Sequence, residues 1–196
     1  MQTAIHIFKN HKNLASIKFL VVPVLREIMH TANDIHMDPA ELIKKYAPGA
    51  EICQGLCFDF SMIHDRGQPN LWSINTFTNL EVVREFYQKL GKGKSYGEVK
   101  QALYEQVVAC LKIRGSLETK ADIYERCQSI KRFLKYYKDQ VNLKDDEKIA
   151  VVCHSTVMAG LNAKGVSGEG QASELVDFYK PMNGEVIPVE DRELDV

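Results

Sequence analysis

The 196-residue sequence has no apolar run approaching the roughly 18 residues that a membrane-spanning helix requires. Nothing after Met1-Gln2-Thr3-Ala4-Ile5 reads as a secretory leader, because His6 and Lys9 interrupt the apolar residues too early. It also lacks an excess of either charge: 25 Lys and Arg face 26 Asp and Glu, a net of −1. That balance argues against a nucleic-acid footprint and against attraction to an acidic membrane surface. The five cysteines (Cys53, Cys57, Cys110, Cys127, Cys153) are an odd set without a framework spacing. Free thiols in a reducing, cytoplasmic location are therefore expected. Cys53-x3-Cys57 with His64 beyond it has no second cysteine pair to close a structural zinc site, so no metal is expected. Repeats, low-complexity tracts and obvious linkers are missing as well, which favours one domain over residues 1–196.

What is present is an average globular composition, 45% apolar and 26% charged, with alternating strand and helix signals. Ile17 to Pro23 is a short β-branched run that suits a strand buried on both faces. Asp38-Pro39-Ala40-Glu41 combines a cap, proline at the first helical position and an acid in the first turn, and Pro48-Gly49 ends that helix. Residues 51–77 read as an irregular excursion, a lid or insertion. Asn79 is expected to cap a helix with Leu80, Val83, Phe86, Tyr87 and Leu90 on its apolar face. Val99 to Leu111 marks another helix. Thr119-x-x-Asp122 is a capping-box start for a third, with Ile123, Cys127, Ile130, Leu134 and Tyr137 inward. Ile149–Cys153 repeats the buried-strand pattern, helix resumes around Val157, and Gly184–Val189 suits a last edge strand. This order predicts an α/β layered fold with a largely parallel sheet, whose functional residues gather beyond the strands' carboxyl ends.

That rule selects two places. His154, Ser155 and Thr156 follow one strand at the start of the next helix, where unpaired N–H groups favour an anion such as phosphate. The plain alternative is that His154 only caps the turn. Glu27, in Leu25-Arg26-Glu27, follows the other strand, where a partly desolvated carboxyl suits a general acid. The plain alternative is a surface glutamate paired to a lysine. The histidines at 30, 36 and 64 fall in loops and are expected to be solvated.

These stretches resemble the histidine-phosphatase superfamily, nearest to its phosphoglycerate-mutase-like branch. Gln2-Thr3-Ala4 is similar to the end of the family's helix that continues as "QTA". Val22-Pro23-Val24-Leu25-Arg26-Glu27 is similar to its "LRE" strand end. Leu117-Glu118-Thr119 and Arg126 resemble its "GES" turn and following arginine. Ile149 to Ser155 resembles the strand ending in "SHG". Ser155 stands where glycine is usual, and "LET" where "GES" is usual.

The resemblance implies a three-layer sandwich with a mostly parallel sheet, N-terminally incomplete here. The family opens with a strand ending in Arg-His-Gly, and that triplet occurs nowhere in the sequence. It further implies phosphomonoester chemistry through a phosphohistidine, without metal or cofactor, on a small phosphorylated substrate. His154 would neutralise phosphate oxygens and Glu27 would protonate the leaving oxygen. Glu27 and His154 are then expected at one sheet edge, facing one pocket, within about 15 Å of each other given strands ~4.8 Å apart. The rival expectation is a catalytically inactive scaffold or binding protein on the same fold. A cysteine enzyme using Cys153 beside His154 is disfavoured, since neighbours on a strand point apart. A strand at Ile149–Cys153 left open on one side is expected to seek a partner, as a homo-oligomer or aggregate.

Overall fold

The computed structural model describes residues 1–29, 34–63, 86, 88, 90, 93–113, 117–144, 147–182 and 184–188. The fold is mixed α/β. Helices α1 (Gln2–Phe8), α2 (Pro39–Lys45), α3 (Tyr96–Ile113), α4 (Lys120–Val141) and α5 (Ser155–Asn162) accompany two small two-stranded sheets. β1 (Phe19–Leu20) pairs in parallel with β2 (Phe58–Asp59), and β3 (Gly165–Ser167) pairs antiparallel with β4 (Glu174–Val176).

Local chemistry accounts for the helix starts. The Asp38 carboxylate accepts from the Ala40 and Glu41 amides at 2.7 and 3.4 Å, with Pro39 at the first helical position. At α4 the capping box is complete: the Asp122 amide donates to Thr119 Oγ1 at 3.1 Å, and the Thr119 amide donates to the Asp122 carboxylate at 2.8 Å. Helix α4 ends at Asn142, which adopts the left-handed conformation with φ 47°. Helix α3 spans the expected Val99–Leu111 region, and α5 follows His154 directly.

The core falls into separate clusters. Ala4, Ile5, Phe19, Tyr46, Cys53, Leu56 and Phe58 enclose the β1–β2 pair. Ile123, Cys127 and Ile130 of α4 meet Val157 of α5 and Ile28. A third cluster joins Met29 and Ile35 to Phe86, Leu90, Val99, Leu103, Val107 and Leu117. Helices α4 and α5 approach closely at Gly160, where an added Cβ would stand 2.7 Å from Cys127 Sγ.

The expected sheet differs in extent. Only Phe19–Leu20 of the Ile17–Pro23 run is strand, because Pro23 opens a 3-10 turn over Pro23–Leu25. Ile149–Cys153 has no strand partner among the described residues; Val152 packs on the β1–β2 cluster and Cys153 on the α4–α5 cluster. Val151, Val152 and Cys153 are only half-buried, and Ile149 and Ala150 are exposed, so the segment is not covered on both faces as its apolar pattern predicts. Residues 184–188 form no strand either. Within 51–77, the first residues form a 3-10 turn and β2, and 64–77 lie outside the described residues. The helix expected after Asn79 lies mostly outside them too, although Phe86, Gln88 and Leu90 are helical.

Candidate functional site

Two segments distant in sequence meet at the start of α5. Glu27 follows the Pro23–Leu25 turn, and its Oε2 lies 3.6 Å from His154 Nδ1. That separation is a close contact, longer than a hydrogen bond. The side chain of Glu27 is 24% exposed and that of His154 is 56% exposed, so the pair sits at the rim and is open to solvent. The other carboxylate oxygen, Oε1, accepts from the Ile28 amide at 2.8 Å.

His154 occupies the N-cap of α5 with β-region backbone, and its side chain does not cap the helix. Its carbonyl accepts from Met158 at 2.9 Å, the first turn of the helix. The leading amides of an α-helix have no intrahelical acceptor. Ser155 and Thr156, both half-buried, belong to that first turn beside the Glu27–His154 contact.

Beneath this rim lies a buried ionic cluster. The Arg26 guanidinium grips Glu118 with two bonds, Nη1 to Oε2 at 2.6 Å and Nη2 to Oε1 at 2.8 Å. Both side chains are 1% exposed, and Arg126 is buried to the same degree. Arg126 Nε lies 3.3 Å from Glu118 Oε1, while its Nη1 donates to the carbonyls of Val24 at 3.0 Å and Arg26 at 2.7 Å. Arg26 Nη1 also donates to the Glu27 carbonyl at 2.8 Å, and the Met29 amide donates to Glu118 at 3.0 Å. Burial pulls Arg126 below the ordinary guanidinium range, and Glu118 opposes that shift. Two guanidiniums and two carboxylates (Glu118 and Glu27) leave this group close to neutral. Both arginines direct donors at Glu118 and backbone carbonyls, while Nη2 of Arg126 is buried without a hydrogen-bond partner.

His36 departs from expectation. It is half-buried, not solvated, and burial followed by the nearby Arg26 and His154 lowers its pKa to about 3, against a weaker pull upward from Asp34. It therefore stays neutral at physiological pH. His30 and His64 lie outside the described residues. Cys153 is half-buried, and burial pushes its thiol up to about 11, with the Glu27 charge adding to the effect. A thiol held protonated is a poor nucleophile, which counts further against cysteine chemistry.

Two surface concavities lie away from Glu27 and His154, one along α3 with Lys94, Glu98 and Gln101, the other between α1 and Ile52–Gln54. Among the described residues no group of three or more His, Cys, Asp or Glu could hold a metal ion, and no helix is long and apolar enough to cross a membrane. Sequence reasoning named Glu27, His154, Ser155 and Thr156. It gave no role to His36, and it gave Glu118 and Arg126 only places in a motif. The available signal was Arg126 itself, a charge inside the apolar stripe Ile123, Cys127 and Ile130. No protein-family model, curated protein or solved structure matches the chain.

Proposed function

We propose that this chain carries the acid and second-histidine portion of a phosphomonoester site, of the kind used by phosphohistidine phosphatases and mutases. The observation that carries the proposal is the 3.6 Å contact between Glu27 and His154 at the start of α5. Glu27 is the proton donor to a leaving oxygen, and His154 with the Ser155 and Thr156 amides receives the phosphate oxygens. The in-line nucleophile is a histidine of an Arg-His-Gly strand, which these 196 residues do not contain. With that strand the architecture is a three-layer sandwich with a mostly parallel sheet. The substrate is a small phosphorylated molecule, and the setting is cytoplasmic, away from nucleic acid and membrane.

A second reading is a non-catalytic binding or scaffold protein. It is favoured by the burial of Arg26 and Arg126, whose guanidiniums hold Glu118 and backbone carbonyls. The two readings are separated by titrating the 196-residue protein with inorganic phosphate while following its backbone amides by NMR. Saturable shifts at Ser155 and Thr156 that vanish in His154→Ala are expected. Absence of any shift there removes the phosphate reading and leaves the scaffold. Hydrolysis of p-nitrophenyl phosphate is expected at background; turnover that disappears in His154→Ala would mean that the nucleophile has been misassigned.

A further inference from the structure

Residues 24–29 form the backbone that presents Glu27, and three buried side chains hold it. Arg126 takes the carbonyls of Val24 and Arg26, Arg26 takes the carbonyl of Glu27, and Glu118 takes the amide of Met29. Glu118 stands at the entry to α4, and Arg126 lies two helical turns further on the same buried face. The capping box at Thr119 and Asp122 fixes that entry. Helix α4 therefore reaches across to the Glu27 segment through two side chains, while α5 packs against α4 and carries His154 at its own N-cap. The acid and the histidine are referred to one common helix.

We propose that Arg126, backed by Arg26 and Glu118, is a positioning residue that sets Glu27 against His154 and so selects the imidazole tautomer. A carboxylate facing Nδ1 favours the proton on that nitrogen, since a lone pair directed at it would be repelled. Nε2 is then the nitrogen left to meet a ligand or to accept a proton. The inference rests on Glu27 and His154 being the working pair of the proposed function, but its readout requires no turnover.

The test uses the 196-residue protein labelled with ¹⁵N-histidine, with His154 assigned by comparison with His154→Gln. Ring-nitrogen spectra recorded at about pH 9, above the ordinary histidine range, report the neutral tautomer. The wild type is expected to hold His154 mainly as the Nδ1–H form, and Glu27→Ala to move it toward Nε2–H. Arg126→Met is expected to move it in the same direction while the amide spectra of α3 and α5 stay native. Arg126→Lys, which still offers one donor to a carbonyl, is expected to fall between, and it carries the test if Arg126→Met does not fold. Folded Arg126 variants with the wild-type tautomer would overturn the positioning role. An unchanged tautomer in Glu27→Ala would overturn the pair itself. A negative phosphate titration beside a positive tautomer shift would sink the phosphate reading and leave the positioning intact.

Discussion

Replacing Glu118 by alanine strips a buried cluster of its shared carboxylate. Glu118 accepts two hydrogen bonds from Arg26 and one from the Met29 amide, and lies 3.3 Å from Arg126 Nε. At 1% exposure, water does not replace those contacts without opening the core. Breaking a buried pair by removing one partner costs on the order of 3–5 kcal/mol, because the remaining charge stays desolvated. Here two guanidiniums are affected, so the upper part of that range applies. Total stability is about 5–15 kcal/mol for a typical domain, so the loss is a large share of the whole. With a urea slope of ~2 kcal/mol per M, the midpoint should fall by roughly 2–2.5 M. The assay is urea unfolding at pH 7 followed by circular dichroism, with Glu98→Ala as the contrast. Glu98 pairs with Lys94 at 3.0 Å on the surface and accepts from the Ser95 amide at 2.9 Å at the start of α3, so its loss should lower the midpoint by only about 0.5 M. A Glu118→Ala shift below about 0.5 M would refute the reasoning, since a desolvated pair cannot be that cheap to break.

Gly160→Ala should destabilise by about 1–3 kcal/mol through overpacking against Cys127 Sγ and Ile123; Cys127→Ala in the same chain should recover part of the loss in thermal melts. Burial raises the thiol of Cys127 to about 12 and that of Cys153 to about 11, so mass-mapped iodoacetamide labelling at pH 7.5 should reach exposed Cys57 and spare both until urea is added. His36, lowered to about 3, is neutral when folded and takes up a proton in the unfolded chain below its ordinary pKa of 6.5. Its contribution is thus complete above pH 6.5 and lost as pH falls toward 3, roughly 2 kcal/mol by pH 5. His36→Asn should flatten that part of the stability–pH curve, and an unchanged slope would contradict the assignment.

The residues that sequence reasoning placed well act through local chemistry. The Asp38 cap and the Thr119–Asp122 box depend on atoms within four positions of each other, and both form. Glu27 and His154 were placed by a general rule about strand ends, and they stand in contact, although the strands behind them are shorter than expected or unpaired. The residues that were missed depend on partners far along the chain. Glu118 reads only as the middle of a motif before a helix until Arg26, 92 positions away, closes on it. His36 reads as a loop histidine until burial beside Arg26 and His154 is known. Ile149–Cys153 shows the same limit from the opposite side, because its composition suits a covered strand, yet Ile149 and Ala150 are exposed and no strand pairs with it among the described residues.

That segment has a consequence for the timescale on which the backbone exchanges its protons. The described residues give the amides of Ala150, Val151, Val152 and Cys153 no backbone acceptor, whereas from Met158 onward the amides are tied into α5. Amides lacking an acceptor exchange through small local openings, and those inside a packed helix wait for larger ones. Deuterium uptake should therefore change abruptly within a few residues of His154, fast on the strand-like side and slow on the helical side. A bound strand that supplied acceptors to Val151–Cys153 would erase that step, turning the Glu27–His154 rim from the margin of a protected region into its interior.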